Sequence, residues 1–344
     1  MANRVLFYDR GAGEADVVGF DASGRVNLDK TNRGWRKSWD ILLTGNFVGR
    51  SSVLLYDRGA GEGDVVGFDA NGAVNLDFTN RGWRKTWDAI IGGDFLGNAR
   101  SEALFYDRDG GEADVVGFAA DGRVDLDTTN TGWRTSWDVL VTGKFLGNGK
   151  DQVLLYDRAA GEADVVGFGA DGRVNLDTTN RGWRKTWDII VVGDFVGNGR
   201  SQILLYDRNA GEGDIVGFDA NGKVNLDFTN TGWRRSWDLL VPGDFLGNAK
   251  SEVLFYDSQT GEADVVAFGS NGAVTLDTTN RGWRKSWEII IAGDFVGGGK
   301  REILLYDRAT GEGDVVGFGA DGKVNLDTTN KGWRKSWSVI LPLP

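Results

Sequence analysis

The stretch Thr179-Asn180-Arg181-Gly182-Trp183-Arg184-Lys185-Thr186-Trp187-Asp188 recurs, with small variations, seven times along the chain. Its first Trp falls at Trp35, Trp83, Trp133, Trp183, Trp233, Trp283 and Trp333. Its second falls four residues later, at Trp39, Trp87, Trp137, Trp187, Trp237, Trp287 and Trp337. These pairs account for all 14 Trp, at a spacing of 50 residues apart from 48 between the first two copies. A fixed period of this size marks a repeat architecture. Units of about 50 residues rarely hold separate cores without metals or disulfides. The chain has no Cys, so disulfides are excluded and neighbouring units must share their burial.

One repeat, Trp187 to Asp238, reads as four strands. The first, Trp187 to Phe195, is apolar and β-branched without alternation, as suits a strand covered on both faces. The turn Gly197-Asn198-Gly199-Arg200 leads to the second strand, Gln202 to Asp207. Asn209-Ala210-Gly211 breaks it before the third, Asp214 to Phe218. Asn221-Gly222 is a hairpin signal, because both residues tolerate φ > 0. The fourth strand, Lys223 to Phe228, alternates polar and apolar as an outer strand should. Thr229-Asn230-Thr231-Gly232 then reads as the connection to the next repeat.

Four short strands per repeat with tight turns and no helical period predict an all-β fold, a seven-bladed β-propeller with four antiparallel strands per blade. Residues 1–344 then form one domain of seven repeats. A solenoid is the rival, but its end repeats should be atypical caps. Here the chain begins inside a second strand (Val5 to Asp9) and ends with a first strand (Trp337 to Leu341). That offset lets the C-terminal strand complete the N-terminal blade and close the ring. Connectivity places the 2–3 turn and the blade-to-blade connection at one end of the disc. Tyr-Asp-Arg, Gly-Glu-x-Asp and Trp-Arg therefore gather there, near each junction.

The 344 residues carry a net charge of −11, from 39 basic and 50 acidic side chains. A nucleic-acid binder normally shows a basic excess, so nucleic acid is not an expected partner. No apolar run approaches the roughly 18 residues that a membrane-spanning helix needs, so no membrane insertion is expected. The N-terminus, Met1-Ala2-Asn3-Arg4-Val5-Leu6-Phe7-Tyr8, runs straight into a strand pattern without the regions of a signal peptide. It reads as leaderless, stored in the cytoplasm or already trimmed of a leader. The chain has no His, which removes the commonest general base and the commonest transition-metal ligand.

The loop Trp of each Gly-Trp-Arg step has two readings. It is a platform for the apolar face of a sugar ring, or a wedge between blades. The second Trp, at the start of the inner strand, reads as packing. The Arg after the loop Trp stands in every copy, as do the acids of Gly-Glu-x-Asp, from Glu14 and Asp16 to Glu312 and Asp314. These groups either clip blade to blade or present donors and acceptors to a ligand. Paired carboxylates raise glycoside hydrolysis, but seven near-equal copies do not make a single cleft, so the reading is not an enzyme. The 1–2 turn, Asp194 to Gln202, resembles an FG-GAP calcium loop. Its third position is aliphatic (Leu96, Leu146, Val196, Leu246, Val296) and its first is Lys144 in one copy, whereas calcium wants six or more oxygens. The expectation is no metal and no cofactor.

A blade reading Trp-Asp-x-x-x-x-Gly-Asp-Phe, Leu-Leu-Tyr-Asp-Arg, Gly-Glu-x-Asp and Gly-Trp-Arg-x-Ser-Trp resembles the bacterial PLL-like lectins, along the whole chain. The resemblance implies a seven-bladed propeller that binds fucose and related, sometimes O-methylated, sugars in shallow metal-free pockets between blades. The implied sugar-binding residues are Asn32, Trp35 and Arg36; Asn80, Trp83 and Arg84; Asn130, Trp133 and Arg134; Asn180, Trp183 and Arg184; Asn230, Trp233 and Arg234; Asn280, Trp283 and Arg284; and Asn330, Trp333 and Arg334. The expected function is a multivalent lectin for fucosylated glycans on cell surfaces, with self-association left open. The alternative is a structural, designed or protein-interaction propeller without sugar binding. A third reading is a calcium-dependent adhesion propeller.

Overall fold

The structure, a computed structural model, describes residues 4–344. These residues form seven four-stranded antiparallel sheets and no helix. In blade 2 the strands run outward as Ile41–Gly45, Ser52–Asp57, Glu62–Phe68 and Val74–Arg81. Blade 1 takes its inner strand, Val339–Leu343, from the other end of the chain. That strand pairs with Arg4–Asp9 in the register Arg4↔Leu343 to Tyr8↔Val339. The seven-bladed ring closed by its C-terminal strand is thus the fold, and the phase of the repeat was enough to predict it.

The core lies between blades rather than within them. One cluster joins Phe47, Leu54 and Tyr56 of blade 2 to Trp87, Phe105, Val116 and Phe118 of blade 3. The second strand of blade 2 is buried along its whole length, because neighbouring blades cover both of its faces. The inner strand differs from the sequence reading. Ile189–Gly193 is only half-buried throughout, although its run of Ile and Val predicts cover on both faces. Inner strands converge on the axis, where their aliphatic side chains share a narrow central space instead of meeting a packed layer.

Two turns also differ from expectation. Only glycine has positive φ in the 3–4 turn: φ is 75° at Gly72, while Asn71 is not among the positive-φ residues. The loop is built on Asp69, whose Oδ1 accepts the amides of Asn71 (2.8 Å) and Ala73 (2.9 Å). A Cβ on Gly72 would lie 3.0 Å from Val17 Cβ of blade 1, so the site needs glycine for space as well as for backbone angle. The outer strand of blade 5 runs on to Thr231, past the expected end at Phe228, and pairs Asn230 with Gly213. The Thr-Asn segment read as a connection is therefore strand.

In the 1–2 turn of blade 5, the side chains at the calcium-loop positions bind the loop's own backbone. Asp194 accepts the amides of Asn198 (3.0 Å) and Gly199 (2.8 Å), and Gln202 Oε1 accepts Val196 N–H (3.1 Å). Val196 points into the core and is 5% exposed. In blade 3 the residue equivalent to Gln202 is Glu102, 2% exposed, whose carboxyl is pushed up to about 7 by burial. The folded state thus binds this proton more tightly than the unfolded chain. The resulting stabilisation is complete below the ordinary value of 4.5 and is lost as pH rises through about 7. Glu102→Gln should leave the thermal midpoint near pH 4 almost unchanged and raise stability at pH 8 by up to about 3 kcal/mol. Melting curves at the two pH values check this; equal shifts at both would refute the linkage.

Candidate functional site

Each junction is assembled from the end of one blade and the face of the next. Between blades 1 and 2, Trp35 N–H donates to the Gly13 carbonyl (3.0 Å), and the Tyr8 hydroxyl donates to the Arg36 carbonyl. Ser38 donates its hydroxyl to Asp57 of blade 2, and Arg10 Nη2 donates to the Trp39 carbonyl (2.8 Å). The Tyr-Asp-Arg motif therefore clamps the connections before and after its strand, which explains why those residue types recur. These contacts gather the motifs at one end of the disc, as connectivity predicts.

The Gly-Glu-x-Asp glutamate takes the incoming arginine. Arg36 lies 2.5 Å from Glu62, and the same pair recurs as Arg84–Glu112, Arg134–Glu162, Arg184–Glu212, Arg234–Glu262, Arg284–Glu312 and Arg334–Glu14. The last pair crosses the seam between the chain ends. Arg36 also lies over the Trp39 ring, 5.2 Å from its centre. Its guanidinium is half-exposed, so such a pair contributes about 0–1 kcal/mol. The ring of pairs mainly sets the geometry of the blade interface.

The three residue types implied by the resemblance, Asn, Trp and Arg, line the same cavity at a junction. Asn32, Trp35 and Arg36 border one of about 570 Å³, Asn130, Trp133 and Arg134 one of about 330 Å³, and Asn280, Trp283 and Arg284 one of about 400 Å³. Their polar groups are, however, already engaged in part. Asn32 donates from Nδ2 to the Gly72 carbonyl (3.0 Å) and accepts the Val74 amide at Oδ1 (3.1 Å). Every equivalent Asn makes the same pair of bonds to the next blade; Asn330 makes them to Gly24 and Val26 of blade 1. Trp35 lies between Tyr8 of its own blade (5.9 Å) and Phe68 of the next (6.4 Å), which is wedge geometry. The ring is only half-buried, and its remaining surface forms the cavity wall.

Sequence reading singled out Asp64 but missed its carboxyl partner in the cavity, Asp77. Asp64 and Asp77 both line the first cavity. They sit on adjacent strands of blade 2, where Asp64 is opposite Thr79 and Asp77 opposite Val66. That diagonal puts both on one face of the sheet. Asp64 is 8% exposed, while Asp77 stands at the mouth. Burial pushes the Asp64 carboxyl up, opposed by a hydrogen bond from Thr79 and aided by the charge of Asp77. Its Oδ1 is buried without a hydrogen-bond partner, and the same holds at Asp16, Asp114, Asp164, Asp214, Asp264 and Asp314. A carboxylate with one oxygen unsolvated and unpaired is costly, so these acids hold protons more tightly. The sequence signal was the Val-x-Leu-Asp run of every outer strand.

A larger opening of about 840 Å³ lies at the 1–2 turns and includes Lys144, Asp151 and Arg4. Its polar groups are partly committed: Asp151 accepts the Asp94 amide (2.8 Å), and Arg4 donates to the Asp69 carbonyl (2.7 Å).

No protein-family model and no curated protein sequence matches the chain. Solved structures do. A protein from Lactobacillus plantarum is similar at 13% identity and a TM-score of 0.64, with 100% of both chains covered. A protein of Bacteroides fragilis described as a 6-phosphogluconolactonase is similar at 13% identity and 0.65, covering 99% of this chain and 98% of its own. The periplasmic gluconolactonase of Pseudomonas aeruginosa is similar at 14% identity and 0.65, covering 99% of each. At these identities the likeness is one of fold. The expectations of a multivalent fucose lectin and of a protein that is not an enzyme are corrected on this finding, since several of the similar propellers carry lactonase names. The cavities at three junctions each hold both carboxyls and a guanidinium, so repetition does not by itself remove a cleft.

Proposed function

We propose that the junction cavities hydrolyse a cyclic ester of the sugar-acid lactone class. The observation that carries this reading is the buried third-strand aspartate, Asp64 and its equivalents, with a raised proton affinity and an unpaired oxygen beside a guanidinium. Water adds to the lactone carbonyl carbon while Asp64 takes its proton. The Arg36 guanidinium, already paired with Glu62, gives the oxyanion that forms a hydrogen-bond donor rather than a free charge. The ring C–O bond then breaks, and the departing ring oxygen receives the proton from Asp64, leaving the open hydroxy acid. The apolar wall of Trp35, Trp39, Leu55 and Val66 holds the ring's C–H face. The names of the neighbouring propellers support the substrate class.

Turnover of glucono-1,5-lactone, followed by base uptake above the buffer rate, tests the reading. The rate should rise with pH through a midpoint above 3.8, because Asp64 acts as a carboxylate and its pKa is raised from that value. Changing Asp16, Asp64, Asp114, Asp164, Asp214, Asp264 and Asp314 together to Asn should cut kcat/KM by about 10²–10⁴, the usual worth of a general base, with circular dichroism unchanged. A folded variant as fast as the parent, or a parent no faster than buffer, would dismiss it.

A further inference from the structure

We infer that the junction cavities select a neutral, unphosphorylated ring over its phosphorylated counterpart, and that the mouth aspartate, Asp177 and its equivalents, sets the preference. The inference rests on the proposed lactone reading but concerns charge rather than chemistry. The junction between blades 3 and 4 shows it most clearly. Its cavity, about 330 Å³, is lined by two acids, Asp164 and Asp177, and by one cation, Arg134. Arg134 is ion-paired with Glu162 and lies over the Trp137 ring, 5.1 Å from its centre. Its charge is already matched before any ligand arrives. The residue equivalent to Arg33 and Arg81 here is Thr131, so no second cation stands at this end of the outer strand.

A phosphate dianion in this cavity meets two carboxyl groups and no unmatched cation. The asymmetry is built from the fold. Asp164 is opposite Thr179 and Asp177 is opposite Val166, so the two acids share one face and one opening. Asp164 is 7% exposed, and burial raises its pKa, with Asp177 adding to the rise and Arg134 opposing it. A neutral polyol ring instead finds acceptors for its hydroxyls and an indole wall for its C–H groups. The chain as a whole, at −11, adds a field that repels anions. At the junction between blades 1 and 2, Lys30 and Arg33 also line the cavity, so this junction should discriminate least.

Binding of a ring that cannot be hydrolysed separates selectivity from turnover. Calorimetry on the full chain would compare 1,5-anhydroglucitol with its 6-phosphate at low ionic strength. The neutral ring should bind about tenfold or more tightly, the factor set by one additional like-charge contact at several ångströms in an intermediate dielectric. Asp177→Asn, with the same change at Asp29, Asp77, Asp127, Asp227, Asp277 and Asp327, should narrow the ratio to near unity by improving the phosphorylated ligand. Equal or tighter binding of the phosphate by the parent, an unchanged ratio in the variant, or no binding of either ring overturns the inference. Tight neutral binding without lactone turnover upholds it and dismisses only the hydrolytic reading.

Discussion

Deleting Trp337 to Pro344 should abolish cooperative folding. The segment carries Trp337, Ile340 and Leu343, which are 3%, 4% and 6% exposed, and its five residues from Val339 pair with Arg4 to Tyr8. Burying such side chains is worth about 1.5–3 kcal/mol each. Their combined loss is comparable with the roughly 5–15 kcal/mol that holds a typical domain. The damage also spreads. Phe7 and Val5, both within 1% of full burial, lose their cover, and Phe295 and Tyr306 of blade 7 share the same cluster. An unpaired Arg4–Asp9 edge invites pairing with another chain. Calorimetry and light scattering should show a broad or absent transition and aggregation. A truncated protein that melts in one step at the parent midpoint would disprove ring closure by this strand.

Trp83→Ala should destabilise the protein by about 2–3 kcal/mol, less than the loss of a fully buried aromatic because the ring is half-buried. The ring meets Phe105 edge-on at 4.9 Å and faces Tyr56 at 6.2 Å. A Cβ on Gly63 would lie 2.2 Å from its Cζ3, so the indole is pressed against the strand backbone of its own blade. Removing it leaves a void bordered by both blades, which neither can fill without shifting. Arg84→Ala is the control, since its half-exposed pair with Glu112 should contribute no more than about 1 kcal/mol. Denaturant titration of both variants distinguishes the roles. A Trp83 cost below that of Arg84 would mean the ring acts only as a ligand platform.

The repeat, the strand order and the closing strand were legible because the indole pairs keep phase over the whole chain. The ends of the outer strands were not. Thr229-Asn230-Thr231 has turn-like composition, yet Asn230 stays in the strand because its amide bonds Gly272 and Val274 of the next blade. That partner lies about 40 residues away and leaves no local trace. The pairing of the two carboxyls was hidden for a related reason. Asp214 and Asp227 look like separate polar positions, and only the register that opposes Asp214 to Thr229, with the bulge between Gly217 and Phe218, puts them on one face. Motif resemblance pointed toward sugar binding because Trp, Arg and Asn do meet at a cavity. It did not reveal that their polar groups also serve the blade interface.

The seam in blade 1 has a mechanical consequence. Arg4 lies opposite Leu343, so both ends of the chain leave the ladder from the same end of the sheet. Tension between the two termini therefore loads the hydrogen bonds one at a time, as in a zipper, rather than all together. A ring held by seven shared interfaces would still peel open under a small force applied across its termini. Held by one terminus alone, it would carry load without stressing the seam.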